Sequence, residues 1–223
     1  DQFFSNIKRD VRRKIKNKNL QQILEFPVLF LGAKPSDTPS FYNFMNYADF
    51  GLGTWQPKNG FFDVVQAMVK LGTELGVTYH TNTNISKIIV EKNIANGIEI
   101  NNEVLNADVI LSGADYHHTE TLLPAENRQY SEAYWDKKTF APSSLLFYVG
   151  FDKKLENVCH HNLFFDSDFE KHAVEIYDNP EWPTEPLFYA NFTSLTNKET
   201  APEGCENAFF LIPIAPNLED TEA

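Results

Sequence analysis

The stretch ISKIIVEKNIANGIEINNEVLNADVILSGAD, residues 85–115, decides how the chain is read. Three short runs rich in β-branched residues, 85–91, 94–100 and 103–105, are separated by only two residues each, Lys92-Asn93 and Asn101-Asn102. Asparagine takes a positive φ at little cost, so both joints suit tight hairpin turns and the segment is predicted to be a β-meander. Behind it, residues 107–111 form a mainly apolar run, predicted as a buried strand that stops at Ser112-Gly113-Ala114. A run that ends on a glycine is a place where backbone can approach a ligand closely.

Outward toward the N-terminus, residues 77–80 are predicted as a short strand. Before them Phe61, Val64, Val65, Met68 and Leu75 recur at helical spacing, which predicts a helix over 60–75. Asn59 suits its first turn and Gly76 the left-handed position after its last. Residues 3–24 read as helix broken at Asn17–Asn19, and the apolar run 20–31 carries Pro27, where a kink or restart is expected. A turn cluster at 35–39 precedes a short aromatic helical stretch, which Gly51-Leu52-Gly53 ends. On the C-terminal side, helices are predicted at 117–123 and 127–138. Strands follow at 143–150, 160–165, 187–192 and 208–213, with a helix at 168–177. Widely spaced strands of this kind predict an antiparallel sheet with helices packed on it, so the expected class is α+β.

The chain has 223 residues, 42% hydrophobic and 14% aromatic, with 19 Phe, enough apolar surface for a real core in one large domain or two small ones. So many aromatics make a core, or line a tunnel for a flat conjugated hydrocarbon. A net charge of −12 argues against nucleic acid as a partner, because phosphate binding needs a basic footprint. The charge is uneven: the first 20 residues hold seven Lys and Arg against two Asp, a net of +5, leaving −17 for the other 203. A basic run followed by an apolar stretch suits docking on an anionic membrane surface, and equally a solvated helix face followed by core. Two cysteines, Cys159 and Cys205, fit a reducing, cytoplasmic compartment. No apolar run approaches the length of a membrane span, and no signal peptide is visible. The sequence opens without Met and closes in the acidic residues 217–223, which reads as a cut.

No GxGxxG and no Walker loop occurs, so the chain carries no phosphate-cradling glycine loop of its own. The histidine pairs His117-His118 and His160-His161 lack the spacing of a chelating set, and no metal site is expected. GxSxG is missing, which leaves a hydrolase triad unsupported.

Several blocks carry a resemblance. FPVLFLGA (26–33), MNYAD (45–49), GTWQPKNGF (53–61), SGADYHHT (112–119), APSSLLFY (141–148), HHNLFF (160–165) and LEDT (218–221) occur in that order. Together they resemble bacterial phytoene desaturase-type carotenoid oxidoreductases, FAD-dependent enzymes of the flavin amine oxidase-like layout. The resemblance implies a two-domain flavoenzyme about twice this length by the domain-size prior. It implies that 77–115 is the middle contribution to a Rossmann-like FAD domain, and that 1–76 and 116–223 build the substrate domain. The FAD would need segments this chain does not hold, so the isolated chain is expected to be inactive.

Residue by residue, the resemblance places Ile85 where backbone groups contact the adenine, and Ser112, Gly113, Ala114 and Asp115 beside the cofactor's ADP half. Here Gly113 stands where the family commonly has Asn. It places Trp55, Lys58 and Asn59 at the cavity beside the flavin ring, with Asn59 in place of a common Gly. Phe41, Tyr42, Phe44, Met45 and Tyr47 are carried as tunnel lining, against an ordinary aromatic core. None of these is a convincing acid or base, so the catalytic residues stay open, as does the oligomeric state. The implied function is introduction of C=C bonds into a long polyene, phytoene or a later carotenoid. A carotenoid isomerase or another flavin oxidoreductase of the same layout is the near alternative, and a non-enzymatic apolar-ligand carrier the distant one.

Overall fold

The computed structural model describes residues 3–220, so Thr221 of the last block lies outside the described residues. α1 (Ile7–Lys14) begins where the Asn6 side chain accepts from the Arg9 N–H at 2.8 Å, and it buries Ile7 and Val11 one turn apart. α2 (Lys18–Glu25) restarts after the expected break, because Asn17 accepts from the N–H groups of Asn19 and Leu20. Pro27 then sits in the first turn of a 3-10 stretch, Phe26–Leu31, where its missing N–H costs nothing. The aromatic segment forms a 3-10 turn (Ser40–Asn43), one turn α3 (Phe44–Asn46) and a π-turn (Tyr47–Leu52). It ends at Gly53 with φ 80°.

The chain continues through α4 (Phe61–Glu74), β1 (Ile85–Glu91), β2 (Ile94–Ile100), β3 (Glu103–Asn106), α5 (Tyr116–Thr121) and α6 (Glu132–Trp135). It closes with β4 (Ser143–Phe151), β5 (His161–Phe164), α7 (Phe169–Tyr177), β6 (Phe188–Asn191) and β7 (Glu206–Ile214). These elements form two compact units. One joins the described residues up to Ala67 to those from Phe140 onward; the other is Met68–Thr139.

The first unit is built on a four-stranded antiparallel sheet in the order β4-β7-β6-β5. Alternation along the strands gives it two different faces. One buries Ala190, Phe192 and Ala208 against Val149, Phe151 and Phe210. The other carries the cross-strand row Leu163, Tyr189, Leu211, Leu146, set by the pairings Leu163↔Tyr189, Tyr189↔Leu211 and Leu146↔Leu211. α7 starts at its cap Asp168, and its buried His172 donates from Nε2 to the Pro213 carbonyl (2.9 Å) while Nδ1 accepts from the Leu187 N–H (3.2 Å). That double bond pattern fixes the neutral tautomer, and burial holds His172 below the ordinary histidine range. The α1–α2 layer has its own core of Ile7, Val11 and Val28 with Ile15, Leu24 and Tyr42. Arg12 joins that layer to α7, donating to Glu25 at 2.9 and 3.1 Å and to Glu170 at 2.6 Å.

The second unit carries the predicted meander with nearly the expected bounds. Lys92 and Asn93 take φ 52° and 63°, Asn101 and Asn102 take 51° and 65°, the paired positive values of type I′ turns. Gly97 suits a close approach of the strands, since a Cβ there would lie 3.0 Å from the Leu105 carbonyl oxygen. Ile88 is its buried centre, and the Ile88 N–H donates to the Leu122 carbonyl just after α5.

Four expectations change. Residues 77–80 and 107–111 are extended but are not strands, and the second run is not buried: Val109 is 82% and Leu111 94% exposed. A strand exists only beside another, and among the described residues neither run belongs to a sheet; the second keeps only the bond from the Ala107 N–H to the Asn96 carbonyl on β2. The helix expected over 127–138 shrinks to a 3-10 turn Ala125–Asn127 and the single turn α6, which restarts at the Ser131 cap. α4 matches its predicted span but buries none of its residues, so its apolar stripe stands uncovered. The first helix begins at Ile7, after an isolated bridge between Asn6 and Pro39.

Candidate functional site

Three cavities run side by side over the Leu163–Tyr189–Leu211 face of the first unit. The first, about 300 Å³, lies between the 3-10 stretch Phe26–Leu31, the loop at Ala141–Ser144 and the sheet. The second, about 510 Å³, adds Ile23, Met45, Asp49 and Phe50 and shares Phe26, Leu163, Tyr189 and Leu211 with the first. The third, about 370 Å³, is lined by Trp55, Gln56, Lys58, His160 and Thr196 and shares Thr54 and His161 with the second. Shared walls make this one trough, apolar along the first two cavities and polar at the third.

The polar end is built by hydrogen bonds that hold the loop after Gly53. Trp55, 85% exposed, donates its indole N–H to the Leu52 carbonyl at 3.1 Å. Gln56 donates to Thr196 at 3.4 Å, and Asn197 donates to the Lys58 carbonyl at 2.8 Å. Asn59 donates to the Asp63 carboxylate at 2.7 Å, and the left-handed residue of this turn is Gly60 (φ 94°), not Asn59. The backbone freedom that asparagine allows is therefore unused here.

Of the aromatic residues carried forward from the sequence, Phe41, Phe44 and Tyr47 do not line these cavities. Phe41 packs at a tilt on Tyr42 (4.2 Å between centroids) and stacks on Phe44 (6.5 Å), while Phe44 is 57% and Tyr47 67% exposed. Met45, carried forward with them, lines the second cavity, and helical spacing sets Asp49 and Phe50 beside it.

The trough also gathers polar residues the sequence reading passed over. His161 Nδ1 lies 2.5 Å from the Tyr189 hydroxyl, which also accepts from the Asn191 amide at 2.9 Å. Burial pushes the Tyr189 hydroxyl above the ordinary tyrosine range. His160 Nδ1 lies 2.6 Å from the Thr196 hydroxyl, and its Nε2 is shut off from solvent with no partner among the described residues. Desolvation, followed by the neighbouring His161, holds His160 below the ordinary histidine range. The signal was present in the HHNLFF block, whose histidines read only as poor metal ligands. Among the described residues no group of three His, Cys, Asp or Glu is placed to hold a metal.

In the second unit, Ser112, Ala114 and Thr119 line a cavity of about 450 Å³ with Ile88, Ala95, Ile110, Tyr116 and Leu123. The Ser112 and Thr119 hydroxyls are 2.7 Å apart, and Ser112 also accepts from the Ala114 N–H at 3.3 Å. Asp115 is committed as a cap, accepting from the His118 N–H at 3.1 Å. Gly113 has an ordinary negative φ and open space where a Cβ would stand, so nothing within the described chain requires glycine there. Ile85 opens β1 opposite Ile100 and is 37% exposed. Backbone open at Gly113, beside two hydroxyls and apolar walls, fits the nucleoside half of a dinucleotide; it supplies no loop to grip phosphates.

Comparison with known proteins identifies the family and the fold. The sequence profile of the family described as "Flavin containing amine oxidoreductase" matches residues 2–198. The chain is 39% identical over 220 residues to the carotenoid 3,4-desaturase of Haloarcula japonica, spanning 98% of this chain and 44% of that protein. It is 30% identical to the phytoene desaturase of Neurospora crassa (97% of this chain, 38% of that protein). It is 28% identical to the zeta-carotene-forming phytoene desaturase of Myxococcus xanthus (96% and 41%). The chain thus spans less than half the length of these relatives. The crystal structure of an oxidoreductase from Methanosarcina mazei shares the fold, with a TM-score of 0.67 at 19% identity over 95% of this chain and 48% of that one.

Proposed function

The chain belongs to the flavin containing amine oxidoreductase family, and from that premise we propose that it is the polyene-holding part of an FAD-dependent carotenoid desaturase. The observation that carries this reading is the trough over β5, β6 and β7, apolar along two contiguous cavities and closed by a polar third. FAD, when bound, supplies the two-electron acceptor that desaturation of an unactivated C–C bond requires. Phe26, Leu163 and Leu211 bury the polyene and exclude water, and the loop carrying Trp55 and Lys58 borders the polar end. Relatives named for carotenoid and phytoene desaturation support the same substrate class.

On this reading, 77–115 is the middle contribution to the FAD domain, with 1–76 and 116–223 in the substrate domain. Ser112, Gly113, Ala114 and Asp115 flank the ADP half, and Ile85 offers backbone to the adenine. The uncovered residues Val109 and Leu111 support completion of this unit by further polypeptide. Feeding phytoene and lycopene to the full-length flavin-loaded enzyme tests the function. A red-shifted product with longer conjugation is expected; an isomer of unchanged conjugation, or no product, overturns it.

A membrane surface as partner is supported by apolar exposure more than by charge. Lys8, Arg12, Arg13 and Lys14 are engaged in ion pairs with Asp10, Glu25 and Glu170, which offsets part of the basic run. Beside the trough, Phe44, Tyr47, Phe50 and Leu52 are all more than half exposed. No described helix is long and apolar enough to cross a membrane. Replacing Phe44, Tyr47 and Phe50 together with serine is expected to lower co-sedimentation with phosphatidylcholine vesicles by about fivefold or more. Undiminished sedimentation of that variant would remove the apolar docking surface.

A further inference from the structure

We propose that Asn197 is a positioning residue for desaturation: it pins the loop carrying Trp55 and Lys58 at the polar cavity and so sets where the reacting part of the polyene lies. This inference rests on the polyene reading of the trough and deepens it.

The shape of that loop and its place have different causes. Its shape comes from bonds to its own neighbours. Thr54 donates to Asp49 at 2.8 Å, Trp55 to the Leu52 carbonyl at 3.1 Å, the Gly60 N–H to the Pro57 carbonyl at 3.0 Å, and Asn59 to Asp63 at 2.7 Å. None of these spans more than five residues, so together they leave the loop free to swing as one body about its ends. Its place depends, among the described residues, on two hydrogen bonds to a segment about 140 residues further along the chain. The one from Gln56 to Thr196 is long, at 3.4 Å; the one from Asn197 Nδ2 to the Lys58 carbonyl is 2.8 Å. Asn197 is therefore the stronger tether.

The residue type follows from what each end of the amide does. Asn197 Oδ1 accepts from the Glu199 N–H at 3.2 Å, capping the 3-10 turn Lys198–Thr200, and that orientation points Nδ2 at Lys58. The tether stands on a fixed base. Asn207 on β7 accepts from the Ser194 N–H at 3.0 Å and donates to the Thr200 carbonyl at 3.1 Å, so the whole 194–200 segment is held to the sheet. A polyene gains its burial in the two apolar cavities, and Asn197 lines neither. Losing the tether thus misplaces the loop beside bound substrate and is read in turnover, not in affinity.

The test is steady-state desaturation by the full-length flavin-loaded enzyme, with whichever of phytoene and lycopene the wild type converts. Asn197→Asp and Asn197→Ser both keep an oxygen for the Glu199 N–H. The first turns a carboxylate on the Lys58 carbonyl, and the second is too short to reach it; if the added charge unfolds the turn, the serine variant decides. Each is expected to lower kcat about tenfold with KM within about twofold. In a Trp55→Ala, Lys58→Ala background the same replacements are expected to cost less than about twofold, because the loop they act through no longer carries its side chains. Wild-type kcat in both variants, or a loss confined to KM, overturns the inference and leaves the polyene reading intact. A tenfold loss that persists undiminished in the double background shows that Asn197 does not act through the loop, and also overturns it. A wild type that converts neither polyene removes the polyene reading itself, and this inference with it.

Discussion

Replacing Leu163 with lysine is expected to cut polyene desaturation by the full-length enzyme at least a hundredfold while leaving its flavin spectrum unchanged. Leu163 stands on the edge strand β5 at one end of the row Leu163–Tyr189–Leu211 and is one of the four residues that the two apolar cavities share. With the trough empty, an ammonium there stays hydrated, because Leu163 is 41% exposed and the fold does not bury it. A polyene lying along the row removes that water and offers no counter-charge. The cost of covering the ammonium is on the order of 3 kcal/mol or more, the equivalent of two decades in kcat/KM. The variant should therefore fold and hold flavin normally. Retained turnover in a folded, flavin-loaded Leu163→Lys enzyme would show that the polyene lies elsewhere.

Replacing Arg12 with leucine is expected to destabilise the first unit by about 2–4 kcal/mol, measured by chemical denaturation. Glu25 is only 1% exposed, and the Arg12 guanidinium donates to both of its carboxylate oxygens. Removing the arginine leaves the Glu25 carboxylate in a dry site with no other hydrogen-bonding partner among the described residues. The lower end of the range is favoured because Arg12 itself is 41% exposed and its attraction to Glu25 is partly screened by solvent. The same replacement loses the bond to Glu170 on α7. The double variant Arg12→Leu, Glu25→Leu should recover most of the loss, since two apolar side chains of similar volume fill the site without a buried charge. Stability of the single variant within about 0.5 kcal/mol of wild type would show that Glu25 is solvated or neutral. This coupling also bears on the membrane: neutralising the basic run at Arg12 perturbs the fold, so a change in vesicle binding there would not isolate electrostatic attraction.

What the sequence made legible follows from how local the cause is. The meander at 85–106 was readable because two adjacent asparagine-containing joints enforce their own turns, whatever surrounds them. The sheet of the first unit was readable for a related reason, as each strand is flanked by its own turn residues. By contrast, 77–80 and 107–111 have the composition of strands, but strand formation needs a neighbour that composition cannot supply. α4 shows the same split: its periodicity fixes the helix, while burial of its stripe depends on what packs against it. The candidate site divides in the same way. Trp55 and Lys58 stood out because their block is contiguous, and in the structure they line the polar cavity. The His161–Tyr189–Asn191 group was missed because its members lie about 30 residues apart in sequence and meet only through the β5–β6 register. Phe41, Phe44 and Tyr47 were singled out by aromatic density, a property that does not say which side of a short helical turn faces a cavity.

Amide hydrogen exchange on the full-length enzyme, with its flavin bound and after the flavin is stripped, tests the account most directly. If the residues around 85 and 112–115 wall the nucleotide, their amides should exchange about tenfold or more slowly with flavin bound, a difference of roughly 1.4 kcal/mol or more. The amides of β4 in the other unit should serve as an unchanged reference. Identical exchange at 85 and 112–115 in the two states, with flavin demonstrably bound in one, would contradict the assignment of this unit to the cofactor.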